Sequence, residues 1–457
     1  MKKAAIALLL TALLFITSCD PDPTVTTSVT ETETDETTTG SATETETETE
    51  TETETEAEKV TVPETETETE TEEQTTEYIP EPEKTEAPSV KGWTLTEPGK
   101  AMVYGECEDN STLVISSELE EYTAHSDGRY FAFCVSLYEK GGTDINIRAC
   151  ADGKTESDTV SVSVKNDKNA DDKGVTVTLG SRVIEKKVLY DQYGTNGFSK
   201  SDINTIKDAV RYRMNKAEKT AGKQVKLVYI IVPDPLTVYP EELTDQMRER
   251  IVSLNLRMKQ ATEALESVEG VVVLDLTETL KDNKQNGKLY YKLDSHWTEL
   301  GAFYGYQAVM KKLGLPYHEL TDYKVDHIDI DDTDMNVYSG VGTGEMFESA
   351  PFLSALFEEK TPYGKNKENT ARIWSFVYEY FSGQTSKTVT GEGPAAMFLF
   401  DSYGLNIIPY LSESFGTFLT QPIWRYSVDY SLVSEIRPDY IIELLAERNL
   451  DELLSAA

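Results

Sequence analysis

The sequence predicts an α/β protein: a three-layer α/β/α sandwich with a mainly parallel sheet, preceded by a smaller all-β sandwich. Three observations predict this arrangement. Apolar, β-rich runs alternate with segments of helical spacing in the C-terminal part, short alternating segments divided by polar turns precede them, and the first 86 residues carry neither pattern. A chain of 457 residues is also long enough for two folded units and a linker.

Four apolar runs predict the strands of the parallel sheet, at residues 225–232, 271–276, 395–400 and 439–444. Continuous Val/Ile/Leu-rich runs are typical of strands that are buried on both faces. Helical spacing over 241–267 and 298–313, and again after the last strand, predicts the covering helices, with Thr298 as N-cap and Gly314 at the end. We therefore predict one α/β domain over residues 175–457, with ligands at the C-terminal strand ends.

A second pattern predicts an antiparallel β-sandwich over residues 87–168. Its short alternating segments lie at 102–107, 111–116, 130–137, 145–151 and 159–164, with polar turns such as Asp127-Gly128 between them. The stretch SDGRYF at 126–131 resembles bacterial immunoglobulin-like accessory modules, which implies a spacer or a weak sugar binder. Cys107, Cys134 and Cys150 allow at most one internal disulfide, and a Cys134–Cys150 pair across neighbouring strands is one alternative to unpaired thiols.

The first 18 residues have the pattern of an export signal. Lys2 and Lys3 precede a short apolar stretch, and the ITSC motif that ends at Cys19 resembles the bacterial lipobox. That resemblance implies cleavage before Cys19 and acyl chains on its sulfur, which would anchor the protein stably. The alternative is an ordinary signal peptide with a chance cysteine. We expect an extracytoplasmic protein that is lipid-anchored at the bacterial cell surface.

Residues 19–86 predict a disordered stalk that begins at the lipidated cysteine. Their Thr/Glu repeats lack the apolar area that would offset the entropy of ordering, and their like charges favour an extended chain. Much of the formal net charge of −38 lies in this segment. An acidic chain cannot neutralise phosphates, so nucleic acid is excluded as a partner.

Two segments at predicted strand ends carry chemistry. Asp294 and His296 are two residues apart, and in an extended segment they would face the same way. A carboxylate beside an imidazole fixes its tautomer and stabilises its charged form. The segment Asp401-Ser402-Tyr403-Gly404 directly follows the predicted strand at 395–400, and Ser402 lies on a turn whose backbone N–H groups we expect to be unsatisfied. Gly404 would permit a tight turn or a close approach of substrate.

No metal or cofactor site is predicted. Clustered aspartates raise the alternatives of a calcium site and a solvated acidic loop, but their spacing does not match an EF-hand. These residues are Asp329, Asp331, Asp332 and Asp334. The other histidines lie in the predicted sandwich or in polar, loop-like sequence. They are His125, His318 and His327.

Four motifs resemble the AlgX/AlgJ and DHHW group of SGNH-hydrolase-like proteins. YYKLDSHWT at 290–298, with GA at 301–302, is similar to the group's D-x-H-W…G-A signature. VPD at 232–234 with YPE at 239–241, FDSYG at 400–404, and RPDY at 437–440 with ER at 447–448 are similar to its other blocks. They occur in the group's order, and the resemblance covers roughly residues 185–457. Asp234-Pro235 departs from the lysine or asparagine that relatives often carry.

The resemblance implies acyl-ester chemistry on exported polysaccharides, most often O-acetylation. Carried over to this sequence, Ser402 is the nucleophile, His296 the general base and Asp294 its orienting carboxylate. Four further residues are expected near the substrate or the developing oxyanion: Tyr239, Trp297, Tyr403 and Gly404. The alternative for Tyr239 is that it only caps a strand end. Packing is the favoured role for Trp297. Arg448 is expected to pair with a carboxylate for a structural purpose.

Two classes of function follow from the sequence. The first is a polysaccharide O-acetyltransferase or acetylesterase, for which the resemblance implies a membrane O-acyltransferase as the partner that delivers acetyl groups. The second is a non-catalytic surface lipoprotein that binds glycan on an SGNH-like scaffold, because fold alone does not establish activity. Transfer and hydrolysis differ in whether water is excluded from the site, which the sequence leaves open.

Overall fold

The computed structural model describes the chain from residue 82 onward, with gaps. The described residues are 82–97, 99–166, 176–179, 182–331, 333, 346–355, 385–389, 391, 393–422 and 428–455. They belong to one compact unit. The predicted export signal, Cys19, most of the predicted stalk, Asp332 and Asp334 lie outside them. Across these described ranges, no helix is both long and apolar enough to pass through a bilayer.

Seven strands form two antiparallel sheets in the region predicted as a β-sandwich. They are β1 (Ser89–Glu97), β2 (Lys100–Glu106), β3 (Thr112–Ser116), β4 (Glu121–His125), β5 (Tyr130–Ser136), β6 (Gly142–Cys150) and β7 (Val160–Lys165). The sheet orders are β1-β2-β5 and β4-β3-β6-β7. Alternate residues of β5, Phe131, Phe133 and Val135, pack with Ile145 and Ile147 of β6 in one apolar core, as the period-2 pattern predicts. The sequence did not predict β1 and β4.

The Cys134–Cys150 disulfide is not formed. Cys134 lies on β5 and Cys150 on β6, and these strands belong to different sheets rather than neighbouring positions of one sheet. Both side chains point away from the apolar faces of their strands, as the alternation predicted. None of the three described cysteines takes part in a disulfide.

The remaining strands build the α/β part and two small sheets beside it. They are β8 (Thr176–Leu179), β9 (Arg182–Glu185), β10 (Lys226–Val232), β11 (Val271–Asp275), β12 (Tyr323–Ile330), β13 (Glu348–Ala355), β14 (Ser386–Val389), β15 (Ala395–Phe400), β16 (Thr417–Pro422) and β17 (Tyr440–Ala446). The α-helices are α1 (Lys186–Tyr193), α2 (Lys200–Ala221), α3 (Pro235–Val238), α4 (Asp245–Arg248), α5 (Leu256–Glu266), α6 (Thr277–Asn283), α7 (Glu299–Leu313), α8 (Ile408–Glu413) and α9 (Tyr430–Ile436).

A six-stranded sheet with the order β11-β10-β17-β15-β16-β14 forms the centre of this part. Its pairings are parallel except at the β14 edge, which runs antiparallel to β16. Successive residues of β10 enter opposite cores: Val228 and Ile230 pack with the α7 side, and Leu227 and Tyr229 with the α2 and α5 side. Both faces of the sheet are therefore covered, as the continuous apolar runs predicted.

Several predicted elements differ in detail. Residues 241–267 do not form one helix, because the chain breaks between α4 and α5 and Asn255 adopts a left-handed conformation with φ of 55°. The strand β11 is only partly buried, since it forms an edge of the sheet. The last helix is a 3-10 helix, Glu447–Leu454. The helix α7 is as predicted, with the Thr298 hydroxyl accepting from the Gly301 N–H and Gly314 in the left-handed region.

The antiparallel pair β12 and β13 was not predicted, because its sequence is polar at alternate exposed positions. It places Asp329 beside the β-sandwich, where the Tyr130 hydroxyl donates to its carboxylate at 3.0 Å. The Tyr130 ring also stacks on Phe347 with centroids 5.2 Å apart. Asp329 thus forms part of the contact between the β-sandwich and the α/β part. The described residues contain no acidic, histidine or cysteine cluster suited to a metal ion.

Candidate active site

The structure brings Asp294, His296 and Ser402 together at the carboxyl ends of the parallel strands. The His296 Nδ1 lies 2.7 Å from the Asp294 Oδ1, and its Nε2 lies 2.7 Å from the Ser402 Oγ. Asp294 is buried, while the His296 side chain retains 18% of its exposure and Ser402 is partly exposed. A group the size of a solvent molecule can therefore reach Ser402 but not the Asp294 carboxylate.

Asp294 and His296 meet through a turn and not through the extended segment that the sequence predicted. The Asp294 Oδ1 accepts the His296 backbone N–H at 2.9 Å as well as contacting the ring, which is the geometry of an Asx turn. The loop is closed at its base by an antiparallel bridge between Tyr290 and Trp297. One carboxylate oxygen thus orients both the backbone and the ring of the histidine.

Ser402 is the first residue of a 3-10 helix, Ser402–Asn406, which Asp401 separates from the end of β15. The expectation of unsatisfied amides on this turn was wrong for the two residues that follow the serine. The Tyr403 N–H donates to the Asp401 Oδ1 and the Gly404 N–H donates to the Asp401 carbonyl, both at 2.9 Å. Of the amides at residues 402–404, only that of Ser402 itself thus remains as a candidate oxyanion donor.

Asp401 connects this turn to the end of β17 through hydrogen bonds. Its second oxygen accepts from the Ala446 N–H and from the Asn449 side chain, each at 2.8 Å. Burial raises the pKa of Asp401, and these hydrogen bonds, together with that from Tyr403, act in the opposite direction. Sequence reasoning missed Asn449, which lies outside every motif and approaches Ser402 only through Asp401.

Tyr403 and Arg448 bind the backbone of the loop at residues 290–297, which we call the histidine loop. The fully buried Tyr403 donates its hydroxyl hydrogen to the Ser295 carbonyl, and its ring centroid lies 5.1 Å from that of His296. Arg448 donates to the same carbonyl at 3.1 Å and covers the Tyr403 ring at 4.9 Å. Ser295 lies between Asp294 and His296, so both residues act on the loop rather than on the substrate space.

Trp297 and Gly404 also have packing roles. Trp297 is fully buried and its indole N–H donates to the Tyr403 carbonyl at 2.8 Å, so it cannot stack on a substrate. The Asn406 side chain donates to the Trp297 carbonyl at 2.9 Å. A Cβ on Gly404 would lie 2.4 Å from the Cβ of Phe400, so the close approach there is made by the protein and not by a ligand.

Tyr239 supports the start of the histidine loop. Its hydroxyl oxygen accepts the Leu289 N–H at 3.3 Å, its ring meets Tyr290 edge-on at 6.2 Å, and the Arg182 guanidinium covers it at 5.1 Å. Burial raises the pKa of Tyr239. The described contacts therefore assign it to the scaffold of the site.

Asp234, which stands where relatives often carry a lysine or asparagine, forms an ion pair within this protein. Asp234 is fully buried at the end of β10, and its Oδ1 lies 3.3 Å from the Arg448 Nη1. Its backbone N–H donates to Glu447 at 2.9 Å. Burial and the charge of Asp234 raise the pKa of Glu447. Arg448 thus pairs with a buried carboxylate, as expected, and connects the β10 end to the histidine loop.

The geometry defines what this site can do. A hydroxyl within 2.7 Å of an imidazole nitrogen can pass its proton to that nitrogen as the oxygen attacks an electrophile. The carboxylate on the other ring nitrogen favours the imidazolium that results. Comparison with known proteins shows which families and structures this part of the chain resembles.

Residues 199–331 match the family described as SGNH hydrolase-like domain, acetyltransferase AlgX. A "probable alginate O-acetylase AlgJ" of Pseudomonas aeruginosa is 29% identical over 143 residues, which cover 30% of this chain and 33% of that protein. The chain thus spans about a third of the length of this curated relative.

Among solved structures, a DHHW family protein from Eubacterium siraeum is 14% identical, with a TM-score of 0.40 over 67% of this chain and 94% of that one. PatB1 of Bacillus cereus is 15% identical, with a TM-score of 0.43 over 60% of this chain and 97% of that one. The family match begins at the cap of α2 and ends just after β12, and it includes the Asp294–His296 loop. Residues 199–331 of the α/β part are thus similar to the SGNH hydrolase-like domain of AlgX and, in part, to AlgJ.

Proposed function

We propose that this protein transfers an acyl group, most simply acetyl, to or from a cell-surface polysaccharide through an acyl-serine intermediate. The observation that carries the proposal is the continuous set of contacts from Asp294 through His296 to Ser402, each 2.7 Å long. A buried carboxylate, an oriented imidazole and a partly exposed hydroxyl are the parts that nucleophilic acyl transfer requires.

The first half-reaction forms an ester on Ser402. The serine oxygen attacks the carbonyl carbon of an acyl donor while the His296 Nε2 takes the hydroxyl proton. The Asp294 carboxylate stabilises the resulting imidazolium, and the Ser402 N–H is the proposed donor to the tetrahedral oxyanion. When the carbonyl reforms, the bond to the donor oxygen breaks and the imidazolium returns the proton to that leaving oxygen.

The second half-reaction removes the acyl group from Ser402. A hydroxyl of the acceptor gives its proton to His296 and attacks the acyl-serine carbonyl, and the serine oxygen leaves with that proton. If the acceptor is a sugar hydroxyl, the protein is an O-acetyltransferase; if it is water, the protein is an acetylesterase. The same three residues serve both outcomes. The relatives named above as acetyltransferase and O-acetylase support transfer.

The proposed setting is the outer surface of a bacterial cell. The pattern before Cys19 supports export and lipid anchoring, and the Thr/Glu segment up to residue 81 would extend the folded part away from the membrane. Residues 82–86, which the sequence assigned to the stalk, belong instead to the folded part, since Lys84 pairs with Thr155 and Thr85 is buried. For the transferase reaction we propose a membrane O-acyltransferase as the source of acetyl groups. No cofactor is needed by this chemistry.

The test measures acyl-enzyme formation directly. The purified full-length protein is mixed with a chromogenic acetyl ester, and acetyl-Ser402 is sought by mass spectrometry after rapid acid quench. Ser402→Ala and His296→Ala serve as the inactive pair, and Ser117→Ala, a partly buried serine of the β-sandwich, is the matched control. Acetate release with a serine adduct only in the wild type and the control supports the proposal.

The same experiment decides against the competing function. A glycan-binding protein without catalysis would leave Ser402 unacylated, would not react with a fluorophosphonate, and would release acetate no faster than the two variants. That result would overturn the catalytic proposal. If acylation is observed, adding candidate polysaccharides and following transfer of labelled acetyl to the glycan distinguishes transferase from esterase.

A further inference from the structure

The β-sandwich contacts the histidine loop through a charged cluster that no motif indicates. Asp127, on the turn between β4 and β5, lies 3.0 Å from the Lys288 Nζ and 3.5 Å from the Lys292 Nζ. The Lys288 Nζ in turn lies 3.1 Å from Glu348, at the start of β13. One aspartate of the sandwich is thus placed between two lysines that precede Asp294 by six and two residues.

Glu348 binds the backbone of the same loop. Its carboxylate accepts the Lys292 N–H at 2.9 Å and the Leu293 N–H at 3.0 Å, and its side chain is 1% exposed. Lys288 also donates to the Ser349 carbonyl. The cluster therefore fixes side chains and main chain on the approach to Asp294, since Leu293 is its immediate neighbour.

Apolar packing reinforces the charged contacts. Leu293 is 1% exposed and packs with Met102 and Tyr104 of β2 and with Met346. Two of these residues belong to the β-sandwich, so the residue before Asp294 rests on a different part of the protein from the sheet that carries Ser402. The spacer role that the sequence allowed for the sandwich does not account for such contacts.

The charge states suit a permanent contact. Burial acts to raise the pKa of Asp127, but Lys288 and Lys292 outweigh it and hold the pKa below its ordinary value. Burial acts to lower the pKa of Lys288, and Glu348 and Asp127 outweigh that effect. Partly buried charges of this kind are costly when one partner is removed, because the others lose their compensation.

We propose that Asp127 is a positioning residue for the acyl-transfer site: through Lys288, Lys292 and Glu348, the β-sandwich sets the geometry of the Asp294–His296 loop. The proposal rests on the proposed function, which it deepens by making the sandwich part of the machinery. Misplacement by about 1 Å of a catalytic group is enough to lower a rate about 100-fold. Since Asp127 does not touch the substrate space, its loss should act on turnover rather than on binding.

The test compares matched variants in the full-length protein. Asp127→Asn removes the charge with little change of shape, and Asp127→Glu restores it. Asp152→Asn is the control, because Asp152 also precedes a glycine with positive φ on a turn of the same sandwich, but is exposed. Lys292→Gln is a milder second variant, because it removes one ion pair and keeps the backbone N–H that Glu348 binds.

Two readouts are needed. The first is kcat and KM for a small acetyl ester, for which Asp127→Asn should lower kcat by about 10- to 100-fold and change KM by less than about threefold. The second is the proton resonance of the His296 ring N–H that faces Asp294, assigned by its loss in His296→Ala. In Asp127→Asn this resonance should shift or broaden, and in Asp127→Glu and Asp152→Asn it should approach that of the wild type.

The outcomes separate this proposal from the proposed function. If the wild type forms no acyl-serine, the proposed function fails, while the histidine resonance still decides whether Asp127 positions the loop. If Asp127→Asn and Lys292→Gln fold and keep both the wild-type kcat and the wild-type resonance, the positioning role is overturned. If Asp127→Asn fails to fold by circular dichroism, a lowered kcat and an altered resonance in Lys292→Gln support the role and unchanged values reject it.

Discussion

The His296 Nε2 lies 2.7 Å from the Ser402 Oγ, although 106 residues separate the two in the chain. Three further contacts join the same two segments: the Tyr403 hydroxyl with the Ser295 carbonyl, the Trp297 indole with the Tyr403 carbonyl, and the Asn406 amide with the Trp297 carbonyl. The neighbours of each reactive residue therefore bind the neighbours of the other. Preorganisation of this kind holds the serine and the imidazole in place before any substrate arrives.

Replacing Asp294 with Asn should leave the fold intact and remove most of the activity. The amide cannot stabilise the imidazolium, and its N–H₂ group favours the wrong imidazole tautomer. We expect kcat for an acetyl ester to fall about 10³- to 10⁴-fold, by analogy with serine hydrolases of other folds. The near-ultraviolet circular dichroism spectrum should be unchanged. A variant that retains a tenth of the wild-type kcat would contradict the assigned role.

Tyr403→Phe tests the support below the loop. The Ser295 carbonyl would keep its bond from Arg448, so the cost in unfolding free energy should be about 1 kcal/mol and the loss of kcat only severalfold. Arg448→Met alone removes the cation that lies 3.3 Å from the buried Asp234, which should cost more. In the double variant the Ser295 carbonyl loses the hydrogen bonds from both Tyr403 and Arg448. The fold-loss of kcat in the double variant should therefore exceed the product of the fold-losses in the two single variants. Independent effects would show that the two residues do not share this function.

Gly404→Ala should destabilise the protein, because its Cβ would lie 2.4 Å from the Phe400 Cβ. Overpacking of a well-filled core costs about 1–3 kcal/mol, measurable as a shift of the urea midpoint. The control is Gly142→Ala at the exposed start of β6, where the nearest atom is the Ser163 Oγ at 3.0 Å. That change should alter the unfolding free energy by less than about 0.5 kcal/mol. Equal effects in both variants would refute the packing explanation for Gly404.

The reactive residues were accessible to sequence reasoning because each lies in a local pattern. Ser402 follows an apolar strand, and Asp294 and His296 share a short motif whose spacing brings them together by either an extended or a turn geometry. The geometry itself was predicted wrongly, since nothing in the motif reveals that the Asp294 carboxylate would accept the His296 N–H. The saturation of the amides after Ser402 by Asp401 was missed for the same reason.

Contacts between distant segments were not predictable. Asp127 carried only a turn signal, and its lysine partners carried only a family motif, so no periodicity relates them. Asn449 and Glu348 likewise lie outside every motif, although their side chains bind segments of the site. The pair β12 and β13 was not predicted because alternate positions of β12 are polar and exposed, and because β12 pairs with a strand that begins about 25 residues later.

Glu299, at the start of α7, should make the stability of the protein depend on pH. Burial raises the pKa of Glu299 to about 7 from an ordinary value of 4.5, although its carboxylate accepts the Leu353 N–H at 2.7 Å. A carboxyl whose folded pKa exceeds its unfolded pKa binds more protons in the folded state. Its contribution to stability is therefore fully present below about pH 4.5 and is lost as the pH rises towards 7.

The size of that loss is at most about 3 kcal/mol, from 1.36 kcal/mol per pKa unit, and water near the partly buried side chain reduces it. Asp401 and Glu447 also have raised pKa values and act in the same direction, so the wild-type curve alone cannot isolate Glu299. Glu299→Gln keeps an acceptor for the Leu353 N–H and does not ionise. Urea unfolding of wild type and variant at pH 5 and pH 8 should show that the variant loses less stability over this interval, which links α7 to β13 through a neutral carboxyl. Parallel pH curves for the two proteins would mean that Glu299 is ionised throughout and that its charge is compensated in the fold.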